Sequence, residues 1–458
     1  MFIGRKSELE YFNEKYENND AQLIVLYGRR RVGKTELLRE FCKDKPHVFF
    51  ACKQCDNAEQ LRDFSARMLK DNEASRFLNA FQSWEQALEA VLSLKAEGKK
   101  LLVIDEFPYM VNGNKSIPSV LQNLWDEKLS RENVMIVLCG SAMSFIEKEV
   151  LAEKNPLYGR ATGILKMNEL SFYDACEFFP DSPAKDKILA YSILGGIPYY
   201  LKQFDSKKSI EQNIKNNILR RGCILYNEVE FLMHQELRET GLYNSLVSAI
   251  ALGATKLNEI HQKTLIEKTK INVYLKNLIE INVLKREFPI SDSIKQTANV
   301  QRGLYAIEDN YFRFWYRFVY PNNSELEAGD ADGVYDYIVK PNLDEFASKA
   351  FENICVEYLR RQNRSNQLPF RFSKIGRYWD NKTEIDILAF DATGGNVLVG
   401  ECKYKGKAFD SGDFDDLKQK HFPHKENANI HYFIFSKGGF TEPVKQDAVC
   451  VGVGDLVK

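Results

Sequence analysis

The stretch Gly28-Arg29-Arg30-Arg31-Val32-Gly33-Lys34-Thr35 has the pattern G-x-x-x-x-G-K-T. An apolar run at residues 22–27 precedes it and indicates a buried strand, whereas residues 36–42 have the spacing of a helix. A strand, a glycine-containing loop and a helix in this order surround phosphate oxygens with backbone N–H groups at a helix N-terminus. The stretch therefore predicts a site for the phosphates of a nucleotide.

Most positions of this loop have an expected role. Gly28 and Gly33 permit the turns and the close approach of backbone to phosphate. Lys34 is expected to reach the β- and γ-phosphates, and the Thr35 hydroxyl is expected to bind Mg²⁺. ATP and Mg²⁺ are the expected cofactors. The residues predicted to hold them are Gly28, Arg29, Arg30, Arg31, Val32, Gly33, Lys34, Thr35 and Glu36.

Two adjacent carboxylates end a later apolar run. Residues 101–104 indicate a buried strand, and Asp105 and Glu106 follow at its C-terminal end. Ligands of open α/β sheets bind at the C-terminal ends of the strands, so a site explains this acid pair better than packing does. We expect Asp105 to hold the hydration shell of Mg²⁺. Glu106 is expected to polarise the attacking water, a role that distinguishes a hydrolase from a simple nucleotide binder.

Two further residues are candidates for the catalytic set. The apolar run 133–139 leads into Ser141, whose hydroxyl could contact the γ-phosphate or the water. Arg160 lies just before another apolar run and could supply positive charge to the transition state, in cis or from a neighbouring subunit. The second arrangement would require a homo-oligomer. A turn serine and a surface arginine are the alternatives.

The chain divides into five predicted segments. Residues 1–170 alternate apolar runs with helical patterns, which is typical of a parallel sheet with crossing helices. A helical lid is predicted for 171–235, a winged helix-turn-helix for 236–308, an aromatic helix with a linker for 309–342, and a second α/β domain for 343–458. The fold class is therefore α/β. The apolar runs of the first segment are 22–27, 47–51, 100–107, 133–139 and 163–167.

The elements after residue 245 follow from local patterns. Residues 245–288 hold three short helical patterns, and strand-like runs at 283–287 and 303–307 complete the outline of a winged helix. The aromatic tract 311–318 is helical in pattern and is expected to pack between domains. The Asn-, Asp- and Gly-rich stretch 321–333 predicts a linker or loop. The last unit is predicted to hold a helix at 343–361 and strands at 384–390, 397–404, 430–436 and 449–453.

Composition limits the class of protein. A chain of 458 residues with 44% hydrophobic content is too long for one core and too apolar for disorder. The formal net charge is -1, so contact with nucleic acid would depend on local basic faces. The nine cysteines do not form the pattern of a disulfide framework. No apolar run reaches the ~18 residues of a membrane span. The start lacks a signal-peptide core, so we expect a cytoplasmic protein with no membrane partner.

Several short motifs together resemble a known family. They are F-x-G-R at 2–5, Y-G-R-R-R-V-G-K-T at 27–35, V-I-D-E-F at 103–107, G-S at 140–141, Y-G-R at 158–160 and G-G-I-P at 195–198. This set is similar to the archaeal-type P-loop ATPases, AAA-like proteins related to the signal-transduction ATPases with numerous domains. The resemblance implies an ATPase core, a helical lid, a winged helix and often a C-terminal nuclease-like domain. It also implies switching between nucleotide states.

Two carboxylates and a lysine are expected to meet in the C-terminal unit. Residues 384–390 and 397–405 alternate in polarity around a Gly-Gly pair, which predicts a hairpin. A turn centred just before that pair places Asp386 opposite Glu401, with Lys403 on the same face as Glu401. Opposed like charges destabilise a sheet, so we expect a divalent metal such as Mg²⁺ between them, its water oriented or deprotonated by Lys403. A one-residue slip would separate the two carboxylates.

Asp386, followed after fourteen residues by Glu401-Cys402-Lys403, resembles the PD-(D/E)xK nuclease superfamily. Ile385 stands where the name of the superfamily expects proline, a replacement that its members commonly tolerate. An upstream helix often adds an acid in these nucleases, and Glu352 matches that place. The resemblance implies a restriction-endonuclease-like α/β domain with metal-dependent cleavage of DNA. A decayed fold that only binds DNA or protein is the alternative.

Two stretches carry a local excess of positive charge. Residues 256–288 hold seven Lys and Arg against four Glu, and residues 360–382 hold seven against one Asp. The second stretch leads into the predicted hairpin and could guide a phosphate backbone to it. A solvated charged face is the alternative for both. The cations of the second stretch are Arg360, Arg361, Arg364, Arg371, Lys374, Arg377 and Lys382.

Together these features predict an ATP-hydrolysing protein associated with DNA, whose ATPase operates a Mg²⁺-dependent nuclease-like domain. The alternative is a signalling or scaffold ATPase whose winged helix and inactive nuclease-like fold bind a protein partner. A chaperone-like or housekeeping ATPase is compatible with Lys34 and Glu106. It leaves the arrangement of Asp386, Glu401 and Lys403 unexplained.

Overall fold

The computed structural model describes residues 2–70, 80–95, 97–291 and 303–458. These residues form two compact units. The first comprises Met1–Leu170 and Ile197–Tyr199, and the second comprises Ser171–Gly196 and Tyr200–Lys458. The change of unit after residue 170 coincides with the predicted end of the ATPase core. The finer division of the second unit stays a prediction.

The first unit is built on a sheet of five parallel strands. They are β1 (Gln22–Tyr27), β2 (His47–Ala51), β3 (Lys100–Asp105), β4 (Val134–Gly140) and β5 (Gly163–Lys166). Their order is β2-β3-β4-β1-β5, and β1 and β4 are buried at every residue, as continuous apolar runs predict. β3 ends at Asp105 rather than at residue 107, because Glu106 has a left-handed backbone (φ 53°) and Phe107 begins a helix.

The segments between these strands are helical, as parallel connections require. Apolar side chains of the strands and helices share one core, in which Phe64, Leu121 and Leu138 are fully buried. The helix that follows the glycine loop begins at Lys34, directly after Gly33. The helices are Lys6–Glu17, Lys34–Cys42, Asn57–Leu69, Trp84–Glu89, Phe107–Gly113, Ile117–Glu127 and Met143–Glu149, with single 3₁₀ turns at Ala90–Ser93 and Leu129–Arg131.

From residue 171 to residue 280 the chain is helical. The helices are Phe172–Cys176, Ala184–Leu194, Pro198–Leu201, Ile210–Ile214, Glu228–Glu236, Thr240–Ala251, Leu257–Thr264 and Lys268–Glu280, with a π-helical segment at Lys215–Leu219. Two short antiparallel strands follow, β6 (Leu284–Glu287) and β7 (Leu304–Ile307). Three helices and a two-stranded sheet therefore occur in the predicted order. The chain between the strands at residues 292–302 lies outside the described residues, and the winged helix stays a prediction.

The aromatic tract forms a buried helix within the second unit. Asn310–Phe314 is α-helical and continues into a π-helical segment, Trp315–Val319. The side chains of Tyr311, Phe314 and Tyr316 have no exposed surface. Their rings pack against other aromatic rings, which gives this part of the unit a large apolar core.

The prediction of a linker or loop at residues 321–333 is wrong, because most of that stretch is helical. It contains part of a 3₁₀ turn, Tyr320–Asn322, and two short helices, Asn323–Glu327 and Ala331–Val334. Its acidic residues serve partly as helix caps, since a carboxylate oxygen of Asp330 accepts a hydrogen bond from the Gly333 N–H at 2.9 Å. A π-helical segment, Tyr335–Val339, then leads into the long helix Lys340–Arg364.

A second five-stranded sheet forms the C-terminal part. Its strands are β8 (Lys374–Trp379), β9 (Glu384–Phe390), β10 (Asn396–Lys403), β11 (Asn429–Ser436) and β12 (Val449–Gly452), and the accompanying helices are Ser411–Gln419, Glu442–Asp447 and Val453–Leu456. The order is β12-β11-β10-β9-β8. β8, β9 and β10 are antiparallel neighbours, whereas β10, β11 and β12 are parallel.

The register of β9 and β10 agrees with the predicted hairpin. Ile387 pairs with Gly400, and Phe390 pairs with Val397. One step further along the same register, Asp386 stands opposite Glu401. The long helix Lys340–Arg364 packs against this sheet through Ala347, Phe351 and other apolar side chains of a common core.

Candidate functional site

The glycine loop has the backbone conformation that the motif requires. Gly33 has φ 96°, and a β-carbon at Gly28 would lie 2.3 Å from the carbonyl oxygen of Met167. Both positions therefore exclude a side chain, one through its dihedral angle and the other through its neighbour. Arg31 also has a left-handed backbone, with φ 70°. A carboxylate oxygen of Glu36, in the first turn of the following helix, lies 3.6 Å from a guanidinium nitrogen of Arg39.

Lys34 is 6% exposed and folds back over the loop. Its ammonium group donates hydrogen bonds to the carbonyl oxygens of Gly28 at 2.8 Å and of Arg29 at 3.0 Å. Burial lowers the pKa of Lys34 below its usual value, while the charges of Glu106 and Asp105 act in the opposite direction. The lysine is thus a desolvated cation at the loop that the motif assigns to phosphate.

Thr35 and Asp105 are joined across the site. The Thr35 hydroxyl donates to a carboxylate oxygen of Asp105 at 2.8 Å, and the other oxygen of Asp105 accepts from the Glu106 N–H at 3.0 Å. A hydroxyl and a carboxylate held together beside a phosphate loop are the oxygen ligands that Mg²⁺ prefers. These two residues therefore fit a magnesium ion bound with a nucleotide.

Glu106 and Ser141 form a second contact at the same ends of neighbouring strands. The Ser141 hydroxyl donates to the two carboxylate oxygens of Glu106 at 2.6 and 2.8 Å. Glu106 is held in the left-handed region at the start of the helix Phe107–Gly113, and Ser141 is 5% exposed. Lys34, Thr35, Asp105, Glu106 and Ser141 are thereby brought to one edge of the sheet.

Arg160 lies in a different environment. Its guanidinium binds the carboxylate of Asp126, with Nη2 at 2.8 Å and Nε at 3.2 Å from the oxygens. The side chain is 32% exposed, and its hydrogen bonds within the described residues go to Asp126 and to the Tyr158 carbonyl. The hydrogen bond to Asp126 raises the pKa of Arg160. In this arrangement Arg160 is held by Asp126 rather than by the described residues of the nucleotide site.

Two contacts of the glycine loop, one made by Arg5 and one made by Tyr199, were not predicted from the sequence. Arg5 is 6% exposed and donates to the carbonyl oxygens of Val32 at 3.0 Å and of Asn168 at 2.7 Å. The Arg31 guanidinium lies 4.3 Å from the centre of the Tyr199 ring. The signals were present in F-x-G-R and in the residues after G-G-I-P, although neither motif by itself reveals a partner.

Asp386 and Glu401 lie close together in the C-terminal sheet. A carboxylate oxygen of Asp386 accepts from the Cys402 N–H at 2.8 Å. Burial, followed by the charges of Glu401 and Glu352, raises the pKa of Asp386 from 3.8 to about 7. Glu352 acts on Asp386 from the long helix, and its own carboxylate lies 2.9 Å from Lys349. The four predicted residues Asp386, Glu401, Lys403 and Glu352 are therefore neighbours.

Lysines neutralise Glu401. Lys403 donates to one of its carboxylate oxygens at 2.6 Å, and Lys420 donates to the other at 2.9 Å. Burial by itself lowers the pKa of Lys403. The hydrogen bond to Glu401 and the charge of Glu401 outweigh this effect and raise the pKa of Lys403 above its usual value. Lys403 therefore holds its proton firmly, which does not suit the predicted deprotonation of a water molecule.

In this arrangement two lysines supply positive charge to Glu401, and the metal expected between Asp386 and Glu401 stays a prediction. Across the described part of the chain, no group of three or more His, Cys, Asp and Glu side chains is placed to hold a metal ion. Lys420 lies outside the predicted motif, which is why the sequence did not indicate it.

The basic stretch of residues 360–382 is only partly available for contact. Arg377 is bound by Glu384, and the Arg361 guanidinium lies 4.4 Å from the centre of the Tyr173 ring. Arg360, Arg364 and Lys374 instead line an open cavity of about 620 Å³, whose described lining contains no carboxylate.

In the described residues, none of the helices has the length and apolar character that a membrane crossing requires.

Comparison with known proteins gives matches to two families. Residues 2–204 match a family described as an ATPase domain predominantly from Archaea. Residues 315–419 match a family described as archaeal and bacterial proteins of unknown function. The ATPase match covers the glycine loop, the Asp105-Glu106 pair, Ser141 and Arg160.

Three individual proteins illustrate these similarities. The chain is 33% identical over 406 residues to the uncharacterized protein MJECL04 of Methanocaldococcus jannaschii, which covers 88% of each chain. It is 21% identical over 337 residues to the uncharacterized ATP-binding protein MJECL26 of the same organism, covering 66% of this chain and 95% of that one. The Walker-type ATPase PABY2304 of Pyrococcus abyssi is 22% identical with a TM-score of 0.49, and the match covers 69% of this chain and 96% of that chain. The chain therefore belongs to the family of MJECL04 and carries an ATPase domain of the type found predominantly in Archaea.

Proposed function

We propose that the protein binds ATP with Mg²⁺ and hydrolyses it at the edge of the first sheet. The observation that carries this proposal is the pair of contacts Thr35–Asp105 and Ser141–Glu106 beside the glycine loop. A site that only binds nucleotide needs the loop and a metal ligand. A second carboxylate, oriented by its own hydrogen bond, is the additional group that activation of water requires.

Each residue of the site has a defined part in this proposal. The loop N–H groups and Lys34 would hold the phosphates. Thr35 and Asp105 would hold Mg²⁺, which would supply positive charge to the phosphate oxygens. Glu106 orients and polarises the attacking water, and Ser141 keeps the Glu106 carboxylate in position. Arg31 and Tyr199 stack beside the loop and would limit how the nucleotide enters.

The test compares two site variants in the full chain. Lys34→Ala should abolish nucleotide binding, because it removes the buried cation of the loop. Glu106→Gln should retain ATP binding while hydrolysis falls by about 100-fold or more, the size of a general-base contribution. Lys43→Ala is the matched control, since Lys43 caps the same helix at its other end and pairs with Glu40. Unchanged turnover in Glu106→Gln would mean that Glu106 does not handle the water.

We further propose that the second unit associates with DNA through a nuclease-like domain. The support is the succession of a long helix, three antiparallel strands, a helix and a parallel strand, with Asp386, Glu401 and Lys403 on the second and third strands. The cavity lined by Arg360, Arg364 and Lys374 provides positive charge without a competing carboxylate in its described lining. Metal-dependent cleavage of DNA, which the resemblance implies, is a separate and more specific part of this proposal. It would require a metal ion to bind beside Glu401, whose carboxylate two lysines contact in this structure.

DNA binding is tested by titration at two ionic strengths. Replacement of Arg360, Arg364 and Lys374 by Gln should weaken binding and reduce the slope of log K against log salt by about 3, because each of the three cations would neutralise one phosphate. Replacement of Lys207, Lys208 and Lys445, which are exposed lysines elsewhere on the unit, is the control. Binding that is absent, or that is equal in both triple variants, favours a signalling or scaffold ATPase with a protein partner.

Cleavage is tested separately, with Mg²⁺ and with or without ATP. If the acid cluster cleaves DNA, both Asp386→Asn and Glu401→Ala abolish the activity while the ATPase remains. Cleavage that persists in Glu401→Ala removes the nuclease assignment. DNA binding without any cleavage would identify the C-terminal fold as a binding module.

A further inference from the structure

The cavity of about 620 Å³ in the second unit has a lining of mixed character. Its three cations, Arg360, Arg364 and Lys374, are exposed. A cavity that bound only a phosphate backbone would need these cations alone, so the rest of the lining suits a second, apolar group on the ligand. The apolar residues of the lining are Phe288, Pro289, Ile290, Phe372 and Ile375.

The cations come from two elements that meet at the cavity. Arg360 and Arg364 are four residues apart at the end of the helix Lys340–Arg364, so they lie on one face of it. Lys374 begins β8. Arg361 differs from them, since its guanidinium lies 4.4 Å from the centre of the Tyr173 ring and it does not line the cavity. The described lining holds no carboxylate, so it does not neutralise the three charges.

Hydrogen bonds within the unit hold the lining in place. The Asn363 side chain donates to the Phe372 carbonyl oxygen at 3.1 Å and accepts from the Phe372 N–H at 3.0 Å, which joins the helix to the start of β8. The Ile290 N–H donates to the Arg377 carbonyl oxygen at 2.9 Å, which joins the segment after β6 to the same strand. The cavity is therefore formed by elements that contact one another without a ligand.

Two aromatic side chains belong to the described lining. Phe372 is 9% exposed and is part of the apolar core of the C-terminal sheet. Phe288 is the more exposed of the two. The Arg286 guanidinium lies 4.8 Å from the centre of the Phe288 ring, a cation–π contact that orients this ring. Phe288 thus offers an aromatic surface beside three unneutralised cations.

We propose that this cavity binds an unpaired DNA strand, with one base stacked on Phe288 and the neighbouring phosphates held by Arg360, Arg364 and Lys374. The proposal rests on the proposed association with DNA and specifies the form of DNA that is bound. In a duplex the neighbouring base pairs cover both faces of a base, whereas an unpaired base is free to stack on an aromatic ring. Pockets for small molecules usually measure about 300–1,000 Å³, so a base with its sugar fits in this cavity.

The experiment compares two single strands in titrations of the full chain, without ATP and with EDTA to prevent cleavage. One strand is an oligothymidylate, and the other is a strand of equal length in which abasic sites replace the bases. We expect the oligothymidylate to bind more tightly by about tenfold, the order of one base–aromatic stack. Both strands carry the same phosphates, so their difference reports on the bases.

Phe288→Leu removes the flat ring and keeps an apolar side chain. It should weaken binding of the oligothymidylate by about tenfold and leave binding of the abasic strand unchanged. The slope of log K against log salt should also stay unchanged, because no charge is lost. Phe231→Leu is the matched control, since Phe231 is a 57% exposed phenylalanine of the same unit that does not line the cavity.

A cross-linking measurement locates the base without any substitution of the aromatic residues. A strand that carries 5-iododeoxyuridine is irradiated in complex with the full chain, and the attached peptide is identified by mass spectrometry. We expect attachment at Phe288, and its loss when Arg360, Arg364 and Lys374 are replaced by Gln. Attachment confined to residues outside the cavity lining would overturn the proposal.

The titrations separate this proposal from the association with DNA on which it rests. Salt-dependent binding with equal affinity for the two strands, or an equal loss for both strands in Phe288→Leu, would overturn base stacking in the cavity and leave the association with DNA intact. If neither strand nor a duplex of the same length binds at low ionic strength, the association with DNA itself is wrong, and this proposal fails with it.

Discussion

The Ser141 hydroxyl donates to both carboxylate oxygens of Glu106, at 2.6 and 2.8 Å. The two residues follow neighbouring parallel strands, β4 and β3, whose C-terminal ends meet at one edge of the sheet. Glu106 occupies a left-handed backbone conformation, which is unusual for a residue with a long side chain. The Ser141 hydroxyl thus holds the Glu106 carboxylate in position.

Replacement of Ser141 by Ala should leave ATP binding intact and slow its hydrolysis. A hydrogen bond to a charged group contributes about 1.5–3 kcal/mol, so we expect turnover to fall by about 10- to 100-fold. Ser141→Thr keeps the hydroxyl and should restore much of the rate. Ser144→Ala, in the helix that follows, is the control. A rise in KM at constant turnover would instead indicate that Ser141 contacts the nucleotide directly.

Gly28→Ala should disrupt the loop. Its β-carbon would lie 2.3 Å from the Met167 carbonyl oxygen, and a backbone atom cannot move aside as a flexible side chain does. We expect a loss of about 1–3 kcal/mol in the free energy of unfolding, typical of overpacking, together with a loss of ATP affinity. Gly241→Ala is the control, because no atom lies within 4 Å of its β-carbon and it belongs to the helix Thr240–Ala251. If both variants unfold alike, the contact with Met167 is not the cause.

Arg5 should be required for a stable loop. It joins the Val32 carbonyl of the loop to the Asn168 carbonyl after β5, and it also binds Glu8 at 2.9 Å. Arg5→Ala should lower the free energy of unfolding by about 1.5–3 kcal/mol and weaken ATP binding. Arg5→Lys should rescue only part of the loss, because an ammonium group does not reproduce the planar set of donors. Lys6→Ala, on the exposed side of the same helix start, should change neither quantity; retention of ATP affinity in Arg5→Ala would contradict the role.

Much of the fold could be predicted because its signals are local. The five parallel strands of the first unit coincide with apolar runs of the sequence, and the β9–β10 register follows from the position of one turn. β8 was missed because it lies at the edge of the sheet and only Tyr378 among its residues is buried. The linker prediction for residues 321–333 was wrong for a different reason. Asn and Asp occur both in loops and at helix caps. The hydrogen bond from the Gly333 N–H to the Asp330 carboxylate identifies Asp330 as a cap, and this contact is seen only in the structure.

The residues of the candidate sites could likewise be predicted only where the signal is local in the sequence. Lys34, Thr35 and Asp105 could be named from sequence because a phosphate loop and an acidic strand end have fixed chemistry. Lys420, the second lysine that binds Glu401, could not be named, because the fold brings it there and it belongs to no motif.

The stability of the second unit should depend on the charge of Asp386. Burial and the neighbouring charges of Glu401 and Glu352 raise its pKa from 3.8 to about 7, so the folded state binds a proton that the unfolded state releases. This contribution to stability is present below about pH 4 and is lost as pH rises toward 7. Asp386→Asn keeps an oxygen acceptor for the Cys402 N–H but cannot ionise. Its free energy of unfolding relative to wild type should therefore rise between those two pH values.

Chemical denaturation at a series of pH values measures this difference. Carboxylates distant from Asp386 also change the absolute stability with pH, but they are common to both proteins and cancel in the comparison. Asp391→Asn is the control, because hydrogen bonds with Asn396 and its neighbours lower the pKa of Asp391. A difference between Asp386→Asn and wild type that stays constant with pH would show that Asp386 ionises normally in the folded protein.

Of the two alternatives for Arg160, action in cis or from a neighbouring subunit, we propose and test the second. Its guanidinium is partly exposed and bound to Asp126, so it must leave that carboxylate before it can stabilise charge on a transferred phosphate. We expect specific ATPase activity to rise with protein concentration, and Arg160→Ala to lower it by at least tenfold. A mixture of Arg160→Ala and Lys34→Ala should regain activity, because one copy retains an intact loop and the other retains the arginine. Asp126→Asn releases the guanidinium and should lower the concentration needed for half-maximal activity. If specific activity is independent of concentration and the mixture stays inactive, Arg160 does not work across subunits.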